Sequence, residues 1–143
     1  MARAHLVGLA ILAVTVAASM ALDYWGRARE PQFASIPFAR GSALPEEAGA
    51  TVDRVAGFLH AHPQHRAVLE GHTGTLGDAE ANRALGRERA EAAAAALVED
   101  GIDRDRITVL APGGTEPLAR AEDESEASWQ RRLGRVEVML VPP

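Results

Sequence analysis

A chain of 143 residues, 47% of them hydrophobic, has room for one modest domain with its own core and a short appendage, and none for a second full domain. Its 20 acidic residues outnumber 15 basic ones for a formal net charge of -5, which argues against a general nucleic-acid binder, because phosphate neutralisation needs a basic face. Without cysteine there is no disulfide framework, no thiolate metal site and no cysteine for lipid attachment near the start of the sequence.

The run from Leu6 to Leu22 carries no charge and follows a short start bearing Arg3. Two readings stay open, and residues 1–25 are assigned to them. Ser19 and Ala21 put small residues at the two positions read by a signal peptidase, so that cleavage near Ala21 releases the rest. Alternatively the run, at roughly 17 residues, is a short membrane anchor with Tyr24 and Trp25 at the interface. Residues 26–35, with Pro31 and mixed charges, read as a linker that spans at most about 35 Å.

The remainder, 36–143, reads as one domain. Ser35 to Phe38 is a short strand. A turn through Gly41 leads to a helix with Pro45 at its first position and Glu46 and Glu47 in its first turn. Val52, Val55, Ala56 and Leu59 recur at helical spacing before Pro63 ends the run. Arg66 to Glu70 is a buried strand, and Gly71 to Gly77 a glycine-rich loop, with Gly71 expected to serve a turn needing positive φ. An Ala-rich helix runs from Asp78 to Asp100 and closes on Gly101. Ile107 to Ala111 is a strand, Pro112 to Pro117 a turn, Ala121 to Arg132 a helical connection, and Arg135 to Val141 a last alternating strand. The order β-α-β-α-β-α-β predicts an α/β (α+β) sandwich with helices packed on one mixed sheet.

Several separated motifs carry a family resemblance: Phe38-Ala39-Arg40-Gly41, then Glu70-Gly71-His72-Thr73-Gly74, then Asn82, Leu85, Arg89 and Ala90, then Gly113 to Pro117, then Arg135-Val136-Glu137. In this order they resemble the OmpA C-terminal, peptidoglycan-associating family over about 100 residues. The resemblance implies a non-enzymatic envelope protein of the periplasm. Such a protein holds the diamino acid of the peptidoglycan stem peptide non-covalently, with Arg89 on its free carboxylate. Asn82 and Arg89, seven apart, share one helix face, and the loop amides of Thr73, Gly74 and Thr75 lie near a helix N-terminus, which favours a carboxylate. Arg135 completes the expected ligand-binding set. No cofactor or metal is implied, and other envelope proteins are possible partners.

This chain also departs from the family pattern. Gly74 stands where the family has the acid that pairs with the ligand amine, Ala39 replaces another acid, and Leu133-Gly134 replace Asn-Arg. The departures support an alternative, an envelope scaffold or protein-interaction domain with a degenerate wall site, unless Asp78 or Glu80 substitutes. Arg89 has a structural alternative too, a salt bridge to Glu70 or Glu137. His60, His62, His65 and His72 are conceivable metal ligands, but a solvated helix end explains the first three and the G-H-T turn the fourth. Trp129 reads as a packing residue. Ion conduction by the N-terminal run is disfavoured by its lack of an ionisable residue. No nucleophile elbow, H-E-x-x-H or P-loop ending occurs.

Overall fold

A computed structural model describes residues 33–143. The N-terminal run, with its export and anchor readings, lies outside the described residues, as does the linker before Phe33. Four strands, β1 (Ala34–Pro37), β2 (Arg66–His72), β3 (Ile107–Gly113) and β4 (Arg135–Val141), alternate with helices α1 (Gly49–Ala61), α2 (Ala79–Glu99) and α3 (Glu126–Leu133). The element order is the one expected from the sequence. Strand β1 begins at Ala34, so the last residues assigned to the linker belong to the sheet.

The sheet order is β1-β4-β2-β3, with β4 antiparallel to both neighbours and β2 parallel to β3. Leu69 pairs with Val138, and Gly71 with Val136, so apolar residues of adjacent strands share one face. Onto that face α1 brings Val52, Val55, Ala56 and Leu59, and α2 brings Ala90, Ala93, Ala94 and Leu97. Residues of opposite parity, Glu70, Glu137 and Met139 among them, project from the other face. Among the described residues no helix is long and apolar enough to cross a membrane.

Local chemistry sets the helix ends. The first helix starts later than expected, because Glu46–Ala48 form a 3-10 turn before the α-helix begins at Gly49. Asp78 caps α2 by accepting from the Ala81 amide at 2.8 Å. At the other end Gly101, at φ 87°, lets its own N–H reach the Val98 carbonyl and that of Ile102 reach Leu97, which satisfies two terminal carbonyls. The third helix is shorter than the expected Ala121 to Arg132. Ser125 caps it by accepting from the Ser128 amide, and the preceding loop is tied down by Arg132 on Glu124 and on the Ala119 carbonyl.

Gly71 differs from expectation in its reason. It lies within β2 and has no positive φ. Glycine is required there because a Cβ would sit 1.7 Å from the Gly86 carbonyl oxygen of α2. Reciprocally, a Cβ on Gly86 would fall 2.3 Å from the Gly71 carbonyl oxygen. The two backbones cross with no side chain between them. Helix propensity alone makes Gly86→Ala stabilising by about 1 kcal/mol. The crossing reverses that sign: urea unfolding is expected to show a loss of about 1–3 kcal/mol, as for overpacked cores. A variant as stable as the parent would mean that the helix shifts freely on the sheet.

Candidate functional site

Four segments separated in sequence meet beyond the C-terminal ends of β1 and β2. Phe38 and Ala39 follow β1, Thr73, Gly74 and Leu76 follow β2, Asn82, Leu85 and Arg89 come from the first three turns of α2, and Gln130, Arg131 and Gly134 close the fourth side. They line a cleft of about 310 Å³. The seven-residue spacing of Asn82 and Arg89 brings both to it, as expected of one helix face.

Arg89 is the electrostatic centre of the cleft. The residue is only 5% exposed. Its Nε donates to the Gly41 carbonyl at 2.8 Å and its Nη1 to the His72 carbonyl at 3.1 Å, while its guanidinium lies 5.5 Å from the centre of the Phe38 ring. Among the described residues it has no carboxylate partner: Glu70 and Glu137 meet His72 and Arg135 instead. Burial pulls the Arg89 pKa down from its ordinary value, with no anion to oppose the shift. Even so an arginine stays protonated. The structure therefore presents a buried cation facing an open cleft, held by carbonyl oxygens and a ring but not neutralised.

The other expected residues divide. Thr73, Gly74 and Asn82 line the cleft. Asn82 spends its amide on the Leu76 carbonyl at 3.0 Å, which fixes the loop. Of the three loop amides, Thr73 N–H already donates to the Gly113 carbonyl and Thr75 N–H to Gln130 Oε1, whereas that of Gly74 has no protein acceptor among the described residues. Asp78 and Glu80, the possible substitutes for the missing acid, are engaged elsewhere, Asp78 as the helix cap and Glu80 with Arg83. Arg135 stands apart from the cleft. It lies two residues from Glu137 on β4, so both side chains leave the same sheet face, opposite the helices, and its Nε donates to Glu137 Oε1 at 2.6 Å.

Gln130 and Arg131 were not singled out by the sequence. Gln130 donates to Thr75 Oγ1 at 2.8 Å and to Glu126 Oε1 at 2.9 Å, and its Oε1 accepts from Thr75 N–H at 2.9 Å. These partners lie 55 residues away in sequence for Thr75, and no local pattern signals them. Gly134 is needed for closeness: a Cβ there would lie 2.7 Å from the Phe38 carbonyl oxygen and 3.0 Å from Arg89 Nη1. Trp129 packs partly buried, as expected, and its indole N–H holds the Leu118 carbonyl at 2.8 Å.

The histidines separate as well. His62 stacks on Phe58 at 4.0 Å between ring centres, His65 meets both edgewise, and His60 bonds the Asp100 carbonyl. His72 lies elsewhere, 1% exposed on β2, with neither ring nitrogen hydrogen-bonded among the described residues. Its Nε2 lies 3.7 Å from Glu70 and 4.0 Å from Glu137. The three offer donor atoms within 4.8 Å of one another, but the Arg135 guanidinium already on Glu137 opposes a further cation. Burial first and Arg135 second push the His72 pKa down, against the upward pull of Glu137 and Glu116, while burial first raises that of Glu70. The unfolded chain therefore binds the His72 proton more readily, and His72 withdraws stability as pH falls below about 6.5. Glu70 acts in the opposite sense, withdrawing stability as pH rises through its elevated pKa. Comparing His72→Gln with the parent cancels the Glu70 contribution to first order. Between about pH 7.5 and pH 5, urea unfolding is expected to show the parent losing stability relative to the variant. A constant difference across that window would mean that the imidazole is equally protonated in both states.

Residues 38–131 match the OmpA family. The chain is 35% identical over 91 residues to a peptidoglycan-associated lipoprotein of Rhizobium meliloti, an alignment covering 64% of this chain and 52% of that one. It is 33% identical over 109 residues to the probable lipoprotein YiaD of Escherichia coli, covering 76% of this chain and 48% of the relative. It thus spans about half the length of the curated relatives it matches. Among solved structures, the peptidoglycan-associated lipoprotein from Burkholderia pseudomallei superposes with a TM-score of 0.66 at 29% identity, covering 74% of this chain and 88% of that one. The C-terminal domain of Helicobacter pylori MotB shares the fold, with a TM-score of 0.66 at 19% identity over 78% of this chain and 86% of that one.

Proposed function

Because the chain belongs to the OmpA family, we propose that its cleft binds the stem peptide of peptidoglycan non-covalently, by a ligand carboxylate on Arg89. The protein serves in the periplasm or cell envelope as a binding module and not as an enzyme. One observation carries this reading: the Arg89 guanidinium is buried at the cleft without a counter-ion among the described residues. Burying a lone cation costs several kcal/mol, and a carboxylate entering the cleft offsets that cost with charge-assisted hydrogen bonds. The Gly74 amide, without a protein acceptor among the described residues, belongs to another residue lining the cleft and is a second donor for such a ligand. Names of relatives support the ligand class, since both the Rhizobium and the Burkholderia proteins are called peptidoglycan-associated. Among the described residues the cleft lining offers no carboxylate, imidazole or thiol for proton transfer or nucleophilic attack, which favours holding over turnover.

The apolar run at residues 6–22 either anchors this module or is removed near Ala21. N-terminal sequencing of the protein from cells distinguishes the two outcomes.

Retention of the purified protein on isolated sacculi tests the binding reading. Arg89→Lys keeps the positive charge but loses the planar fork, and retention is expected to fall on the order of tenfold. Circular dichroism of the same variant checks that the fold persists. Equal retention of the two proteins would remove Arg89 from the mechanism, and no retention of the parent would favour the scaffold alternative.

A further inference from the structure

The charge of the cleft is one-sided. Two guanidinium groups line it, Arg89 on α2 and the exposed Arg131 on α3, and among the described residues no aspartate or glutamate does. The Arg131 side chain has neither an ion pair nor a hydrogen bond among the described residues. Nearby acids are committed elsewhere: Asp78 to the helix cap, Glu80 to Arg83, Glu124 to Arg132, and Glu126 to Arg120 and Gln130.

The position best placed to supply an anion is filled by a neutral group. A Cβ on Gly74 would lie 2.5 Å from Gln130 Oε1, so the carboxamide occupies the space that a side chain at 74 would enter. That carboxamide is held on three sides, by the Thr75 amide, the Thr75 hydroxyl and Glu126. An ammonium group brought into this cleft would meet two cations and no carboxylate. It would lose hydration without gaining a partner, and like-charge juxtaposition would add repulsion.

We propose that the cleft selects dicarboxylate groups without a flanking ammonium, the first carboxylate on Arg89 and the second drawn to Arg131. The inference rests on the reading of Arg89 as the carboxylate contact. It makes the ligand end anionic and not zwitterionic, so an amine of the wall peptide is accepted only where it is acylated or lies outside the cleft.

Calorimetric titration of the full chain in mild detergent with pimelate and with meso-diaminopimelate tests this. The two share a seven-carbon dicarboxylate skeleton and differ only in the amines. Pimelate is expected to bind at least roughly tenfold more tightly. The double variant Gly74→Asp with Gln130→Ala, which restores an acid and clears room for it, should reverse the order. Arg131→Gln should weaken pimelate while leaving the monocarboxylate heptanoate unchanged. Equal affinity for pimelate and its diamino form, preference for the latter, or binding of neither overturns the inference, whatever the sacculi show. Pimelate preference without sacculus retention supports the selectivity and defeats the wall-binding reading alone.

Discussion

The crossing of α2 over β2 at Gly86 and Gly71 decides where the rest of the site can be. A methyl group on either residue would drive into the other's carbonyl, so the two backbones come into contact only because both side chains are absent. That closeness sets the height of the helix above the sheet, and the following Ala90, Ala93 and Ala94 continue the same narrow seam. Arg89 lies one turn beyond Gly86, and His72 immediately follows Gly71. The contact between the Arg89 guanidinium and the His72 carbonyl is thus a consequence of the glycine crossing. A larger residue at the crossing would lift the arginine from the strand end, so Arg89 and the core are positioned by one constraint.

Two buried arginines in the same domain illustrate what neutralisation does. Arg135, on the sheet face opposite the helices, is matched by Glu137 at 2.6 Å and also holds the Leu133 carbonyl. Its charge is internally satisfied, and its role is to order the strand end beside His72 and Glu70. Arg89, on the helix face, is equally buried but among the described residues is met only by carbonyl oxygens and the Phe38 ring. Partial charges orient a guanidinium without cancelling it. The difference between the two is the difference between a structural ion pair and a buried cation without a counter-ion among the described residues.

Much of this was legible in the sequence because it is governed by local rules. Alternation of strands and helices, the helix start at Asp78, the Gly101 terminus and the Arg135 to Val141 strand follow from periodicity and capping chemistry, and the seven-residue spacing of Asn82 and Arg89 placed both on one helix face. What escaped depends on contacts distant in sequence. The purpose of Gly71 is invisible without knowing that Gly86 lies above it. Arg135 belongs to a motif, but the parity of β4 turns it away from the cleft. Gln130 lies in a polar helix with nothing to distinguish it, and its importance comes from the Thr75 loop it grips. The helical connection was overestimated at its start because Arg120, Glu124 and Arg132 organise the residues before Ser125 by side-chain bonds, with no helical backbone.

The walls of the cleft are secured in unequal ways. The α2 wall is fixed by apolar burial and the glycine crossing, both coupled to the core. The α3 wall buries only Leu133 within its helix. Otherwise it is held by polar contacts, Gln130 to Thr75, Trp129 to the Leu118 carbonyl and Arg132 to Glu124. Exchanging one such exposed polar contact alters the local surface without disturbing the core. Gly74 and Gly134 face this weaker wall, whereas Gly71 and Arg89 belong to the glycine crossing and its helix. The position of Arg89 is therefore tied to the fold, while the surface across the cleft from it rests on polar contacts, with the Gln130 carboxamide filling the space beside Gly74.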